Sequence, residues 1–146
     1  GLEPGLEACV QRLHRPEPRV GAGLLLRGVA SAAIDISDGL LTDLNHVLRA
    51  SNVGADIELA GLPMGTALMA ISSESERWQF ALAGGDDYEL CYTVPAAQAA
   101  GLAARLQASA CAATCIGPVT AGSGARWLSP AGTMVDFSGS TGYQHF

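Results

Sequence analysis

Two short runs of this sequence carry more carboxylates than a turn requires. The first is Asp35-Ile36-Ser37-Asp38-Gly39. On a strand, side chains at i and i+2 share a face. Asp35 and Ser37 therefore emerge on one side, with Asp38 in the turn just beyond. Two carboxylates and a hydroxyl then converge near a helix N-terminus. A lone carboxylate pair there is repulsive. A Mg²⁺ ion relieves this, because it takes hard oxygen ligands and sits between one or two carboxylates and substrate phosphates. The helix end adds free N–H groups and partial positive charge for a phosphate. The plainer alternative is that Ser37 or Asp38 is simply an N-cap.

The second run is Gly84-Gly85-Asp86-Asp87-Tyr88-Glu89-Leu90. The glycines let the backbone approach a ligand closely or adopt positive φ. Asp86, Asp87 and Glu89 place three carboxylates within four residues, where a structural turn needs Gly and one Asp. Such density is unfavourable unless a cation binds, so the run reads as a site for a cationic or metal-bound ligand. The alternative is a solvated acidic hairpin turn. A third candidate is the tail Thr141-Gly142-Tyr143-Gln144-His145-Phe146. Its aromatics either stack on a charged heterocycle by cation–π attraction or anchor the terminus to the core.

The elements that position these runs follow from periodicity and punctuation. A short helix is expected over Leu2 to Leu13, a proline-punctuated connector over Arg15 to Pro18, and a second short helix at Leu24 to Leu26 ended by Gly28. Ser31 to Ser37 reads as a strand. Asp38 then caps a helix from Gly39 to about Asn52, whose Leu40, Leu41, Leu44, Val47 and Leu48 follow the helical period, with Gly54 as its stop. Ala55 to Leu59 alternates as a strand. A helix is expected over Ser75 to Leu82, a strand over Tyr88 to Val94, and an Ala-rich helix from Pro95 to about Ala108. Strands near Thr114 to Val119, Arg126 to Leu128 and Thr133 to Asp136 complete the chain. Interleaved strands and helices with late strands close together predict an α+β domain: a mixed sheet with helices packed on it.

Composition narrows the chemistry. The 146 residues carry 8 basic and 14 acidic side chains, for a net charge of −6, and all eight basic residues are Arg. Without Lys there is no P-loop, no kinase strand lysine and no Schiff base. An acidic chain without an Arg cluster disfavours nucleic acid. The apolar share of 49% supports a core, but no apolar run reaches the ~18 residues of a membrane span. No signal peptide is visible. Cys9, Cys91, Cys111 and Cys115 have no zinc spacing and read as small buried hydrophobes in a reducing cytosol. His14 and His46 are isolated, and Trp78 and Trp127 are expected in the core.

Taken together, I-D-I-S-D-G-L at Ile34 to Leu40, A-L-A-G-G-D-D-Y-E-L at Ala81 to Leu90, and the terminal G-Y-Q-H-F resemble the thiamine-monophosphate kinase family. The D-L-N-H-V-L-R-A-S helix after the first motif matches too. The resemblance covers essentially the whole chain, but only the C-terminal half of that enzyme. The superfamily includes aminoimidazole ribonucleotide synthetase, selenophosphate synthetase and hydrogenase-maturation proteins.

The resemblance implies a three-layer α/β/α domain, partly ferredoxin-like, and direct phosphoryl transfer from ATP to thiamine phosphate with several Mg²⁺ ions, giving thiamine diphosphate. It implies that Asp35 and Asp38 bind Mg²⁺, that Ser37 contacts ATP, that Asp86 contacts thiamine phosphate where many relatives carry Glu, and that Tyr143 stacks on the thiamine rings. It further implies a cytoplasmic homodimer whose N-terminal ATP- and metal-binding domain is absent from residues 1–146, so that this chain alone is inactive. Two rivals stand beside it: another ATP-dependent enzyme of the superfamily acting on a different acceptor, and a non-catalytic ligand-binding α+β module.

Overall fold

The computed structural model describes residues 4–137 and 139. It opens with helix α1 (Pro4–His14) and helix α2 (Val20–Leu26), followed by strand β1 (Ala32–Asp35), helix α3 (Leu40–Ser51) and strand β2 (Gly54–Glu58). Helices α4 (Thr66–Ile71) and α5 (Glu74–Ala83) lead to strand β3 (Leu90–Thr93) and helix α6 (Ala96–Ala108). Strands β4 (Val119–Thr120), β5 (Gly124–Leu128) and β6 (Met134–Val135) close the chain. The α+β expectation holds, with the strands in two sheets instead of one. β1 pairs with β3 antiparallel, and β4-β2-β5-β6 form a mixed sheet in which only β2 and β5 run parallel.

Two hydrophobic clusters hold these elements. The larger joins Leu44 and Leu48 of α3, Ala55 and Ile57 of β2, Leu82 of α5 and Trp127 of β5. Trp127 also meets Phe137 edge to face, with ring centroids 6.2 Å apart. The smaller joins Ala22 and Leu26 of α2 to Leu102 and Leu106 of α6. Strand β3 serves both. Alternate side chains point to opposite faces of a strand; Leu90 and Tyr92 pack on the smaller cluster and Cys91 on the larger.

Several expectations are corrected. Asp38 is not the cap of α3: the N-cap is Gly39, with φ 104°, and it makes no side-chain cap bond. The helix stops at Asn52 in the left-handed conformation, while Gly54 opens β2. Helix α4 was not foreseen. No strand forms over 114–118; that stretch only runs beside β2, where Asp56 N–H donates to the Pro118 carbonyl and Glu58 N–H to that of Ile116. The cysteines are not all interior: Cys9 and Cys115 are exposed, and Cys91 and Cys111 half-buried. Among the described residues, no helix is long and apolar enough to cross a membrane.

Candidate functional site

The β1–β3 ladder delivers the two acidic runs to one place. Its last register pair is Asp35 with Leu90. Backbone bonds carry the pairing past the strand end: Ile36 N–H donates to the Glu89 carbonyl at 2.8 Å, Tyr88 N–H to that of Ile36 at 2.8 Å, and Asp86 N–H to that of Ser37 at 2.9 Å. Asp35 is exposed, Ile36 buried and Ser37 half-buried, and β1 itself ends at Asp35. Asp35, Ser37 and Asp86 thus belong to one paired segment, and Asp38 follows Ser37 in the chain. Tyr143 lies outside the described residues.

Two helix ends lock this segment. The α-carbon of Gly39 packs so close to the end of α5 that a Cβ there would lie 2.7 Å from the Leu82 carbonyl oxygen. Gly84 caps α5 through a bond from its N–H to the Phe80 carbonyl, at 2.9 Å. Its φ is −66°, so this glycine serves close approach, not positive φ. Positive φ falls instead on Asp86 at 63° and Tyr88 at 50°. Non-glycine residues in the left-handed region store strain, which persists where surrounding structure over-determines it and clusters at functional sites. Here the Tyr88 hydroxyl donates to Asp86 Oδ1 at 2.9 Å. That bond, with the Asp86 charge, raises the Tyr88 phenol above its ordinary value.

Sequence reasoning missed three residues. Asp43 of α3 is 4% exposed; its Oδ2 accepts Ser37 N–H at 2.9 Å and Asp38 N–H at 3.0 Å. Its only signal was an acidic residue in the first turn of a helix. Arg12 and Arg19 both bind Glu89, Arg12 through Nη2 at 2.6 Å and Arg19 through Nε and Nη2 at 2.9 and 2.8 Å. The bonds to Glu89 raise the Arg19 guanidinium further above its ordinary value. The cation that the acidic run demanded is therefore supplied in part by the protein itself, from residues some 70 positions away in sequence. Arg12, Gly85, Asp86, Asp87 and Glu89 line a groove of about 450 Å³ between α1 and the acidic loop.

Among the described residues no three His, Cys, Asp or Glu side chains gather as a metal site. The first motif offers two carboxylates and a hydroxyl, all hard oxygens. Such a partial set suits Mg²⁺, which keeps waters and takes substrate phosphates, better than a metal needing a closed protein cage.

The family described as AIR synthase related protein, C-terminal domain, matches residues 14–127. The chain belongs to that family. This AIR synthase-related domain is 40% identical to the thiamine-monophosphate kinase of Haemophilus influenzae over 93% of its length, and 40% identical to that of Salmonella typhimurium over 94%. It covers 42% of each of them, so the chain spans about two fifths of the length of these curated relatives. The crystal structure of thiamine-monophosphate kinase from Stenotrophomonas maltophilia superposes with a TM-score of 0.83 at 41% identity, covering 87% of this chain and 40% of that one. AaThiL complexed with AMPPCP and TMP superposes at 0.74 with 30% identity, over 100% of this chain and 43% of that one.

Proposed function

We propose that the longer protein containing this domain transfers the terminal phosphoryl group of ATP to thiamine phosphate, giving thiamine diphosphate, and that residues 1–146 are its C-terminal domain. The observation that carries this reading is the 40% identity to thiamine-monophosphate kinases over nearly the whole chain. A relative complexed with AMPPCP and TMP supports the same pair of substrates. The pairing of the two acidic runs at the end of the β1–β3 ladder supports a site formed by both.

In this reading Asp35 and Asp38 hold Mg²⁺ and Ser37 contacts ATP. Asp86 contacts thiamine phosphate, and Tyr143 stacks on its rings. Mg²⁺, when bound, neutralises the charge gathered on the phosphates. The rest of the work is positioning, since phosphoryl transfer asks little covalent chemistry of the protein. An acidic residue such as Asp86 suits a substrate that carries a thiazolium cation. The working protein is a cytoplasmic homodimer, and this domain alone does not turn over.

The test is an assay of the full-length protein with ATP and thiamine phosphate, with and without Mg²⁺. Thiamine diphosphate is expected only with the metal. Asp35→Asn or Asp38→Asn is expected to lower turnover by roughly 100-fold or more, since a metal supplies several kcal/mol and each 1.36 kcal/mol is tenfold. Turnover by the isolated domain overturns its expected inactivity alone, and an unaffected Asp38→Asn enzyme overturns the metal assignment.

A further inference from the structure

Asp43 is the one charged residue in the interior among the described residues, and the reaction above gives it no part. A cap residue ordinarily lies outside a helix and accepts N–H groups from within it. Asp43 does the reverse: it lies inside α3 and accepts two N–H groups from the loop before the helix. Burying a carboxylate is costly unless it is compensated. Two charge-assisted bonds and the positive end of α3 compensate this one. Its Oδ2 fixes both peptides that flank Ser37. The next carbonyl along, that of Ser37, accepts Asp86 N–H. A single buried oxygen therefore sets the backbone carrying Ser37 and Asp38 and, through it, the start of the acidic loop. The charge of Asp43 also reaches Cys91, whose thiol is pushed up to about 11, mainly by burial and secondarily by this carboxylate.

We propose that Asp43 is a positioning residue for divalent-cation binding: it holds the 35–38 segment in its metal-accepting arrangement before nucleotide arrives. The proposal rests on Asp35 and Asp38 as the metal ligands. The test is Mn²⁺ binding to the full-length protein, followed by electron paramagnetic resonance, for wild type, Asp43→Asn and Asp43→Ala. Ser73→Ala serves as a control, because it weakens the start of α5, where Ser73 bonds to Ser75, Glu76 and Arg77 and to none of residues 35–38.

Asp43→Asn keeps an acceptor oxygen without the charge. It is expected to fold and to raise the Mn²⁺ Kd about tenfold, the usual scale for residues that orient metal ligands. Amide exchange at Ser37 and Asp38 is expected to quicken, and the Mg²⁺ half-saturation of turnover to rise with the Mn²⁺ Kd. Should Asp43→Ala fail to fold, Asp43→Asn decides alone. Unchanged Mn²⁺ affinity in Asp43→Asn, or an equal loss in Ser73→Ala, reduces Asp43 to a stabilising residue and overturns the proposal, as does a wild type that binds no Mn²⁺. A wild type that binds Mn²⁺ but does not phosphorylate thiamine phosphate overturns the kinase reading and leaves the Asp43 proposal to its own measurements.

Discussion

At the scale of single residues, the acidic loop is a set of carboxylates with different fates. Glu89 is neutralised by two arginines, whereas Asp87 stands above the ordinary carboxylate value. Partial desolvation is the main cause, the Glu89 and Asp86 charges add to it, and Arg12 opposes it. Because the folded value exceeds the unfolded one, the stability linked to Asp87 is fully present below the unfolded value, near pH 4. It is lost as pH rises through the raised folded value. Asp87→Asn is therefore expected to melt higher than wild type at neutral pH, with the difference vanishing in acid. Melting curves from about pH 3 to pH 8 check this; a variant that gains nothing at neutral pH contradicts it. The same loop shows what composition could not. Three carboxylates in four residues signalled a need for positive charge, but sequence separation hid that Arg12 and Arg19 supply part of it.

At the scale of elements, helix α5 shows how a local sequence signal becomes stability. Ser73 N–H donates to Glu76 Oε2 at 2.8 Å, and the Ser73 hydroxyl accepts Glu76 N–H, closing a capping box. The Ser73 hydroxyl and backbone also hold the Glu76 carboxyl below its ordinary value. Ser73→Ala is expected to cost about 1 kcal/mol, read as a lower urea midpoint at unchanged slope; an unchanged midpoint contradicts it. Helix α3 was legible because apolar positions repeat at the helical period over its 12 residues, and α6 because Pro95 opens a 13-residue run rich in Ala. Helix α4 was not, because its 6 residues bury none of their side chains. The stretch around Ile116 was overread as a strand on its β-branched residues. Pro118 has no N–H to donate, and Gly117, with φ 149°, presses so close to β2 that no Cβ fits. The pairing of the two acidic runs was legible only as similar motifs in order; the register that joins them is a property of the β1–β3 ladder.

At the scale of the whole molecule, the two hydrophobic clusters share β3, so neither is expected to melt alone. Leu48→Ala in the larger cluster and Leu106→Ala in the smaller each remove a fully buried side chain and are expected to cost about 2–5 kcal/mol. Both should lower one common denaturation transition; two separate transitions would show independent units. The two sheets are also interleaved along the chain: β1 and β3 belong to one, β2, β4, β5 and β6 to the other. That arrangement sets a timetable. At about 5–20 residues per second, a ribosome needs roughly 3–10 s to add the 51 residues from Ile36 to Asp86. Throughout that interval the nascent Asp35–Asp38 segment has no ladder partner, and the parallel partner of β2 arrives later still. Asp43 follows Asp38 by only five positions, so the carboxylate that fixes this loop is the first of its partners to leave the exit tunnel.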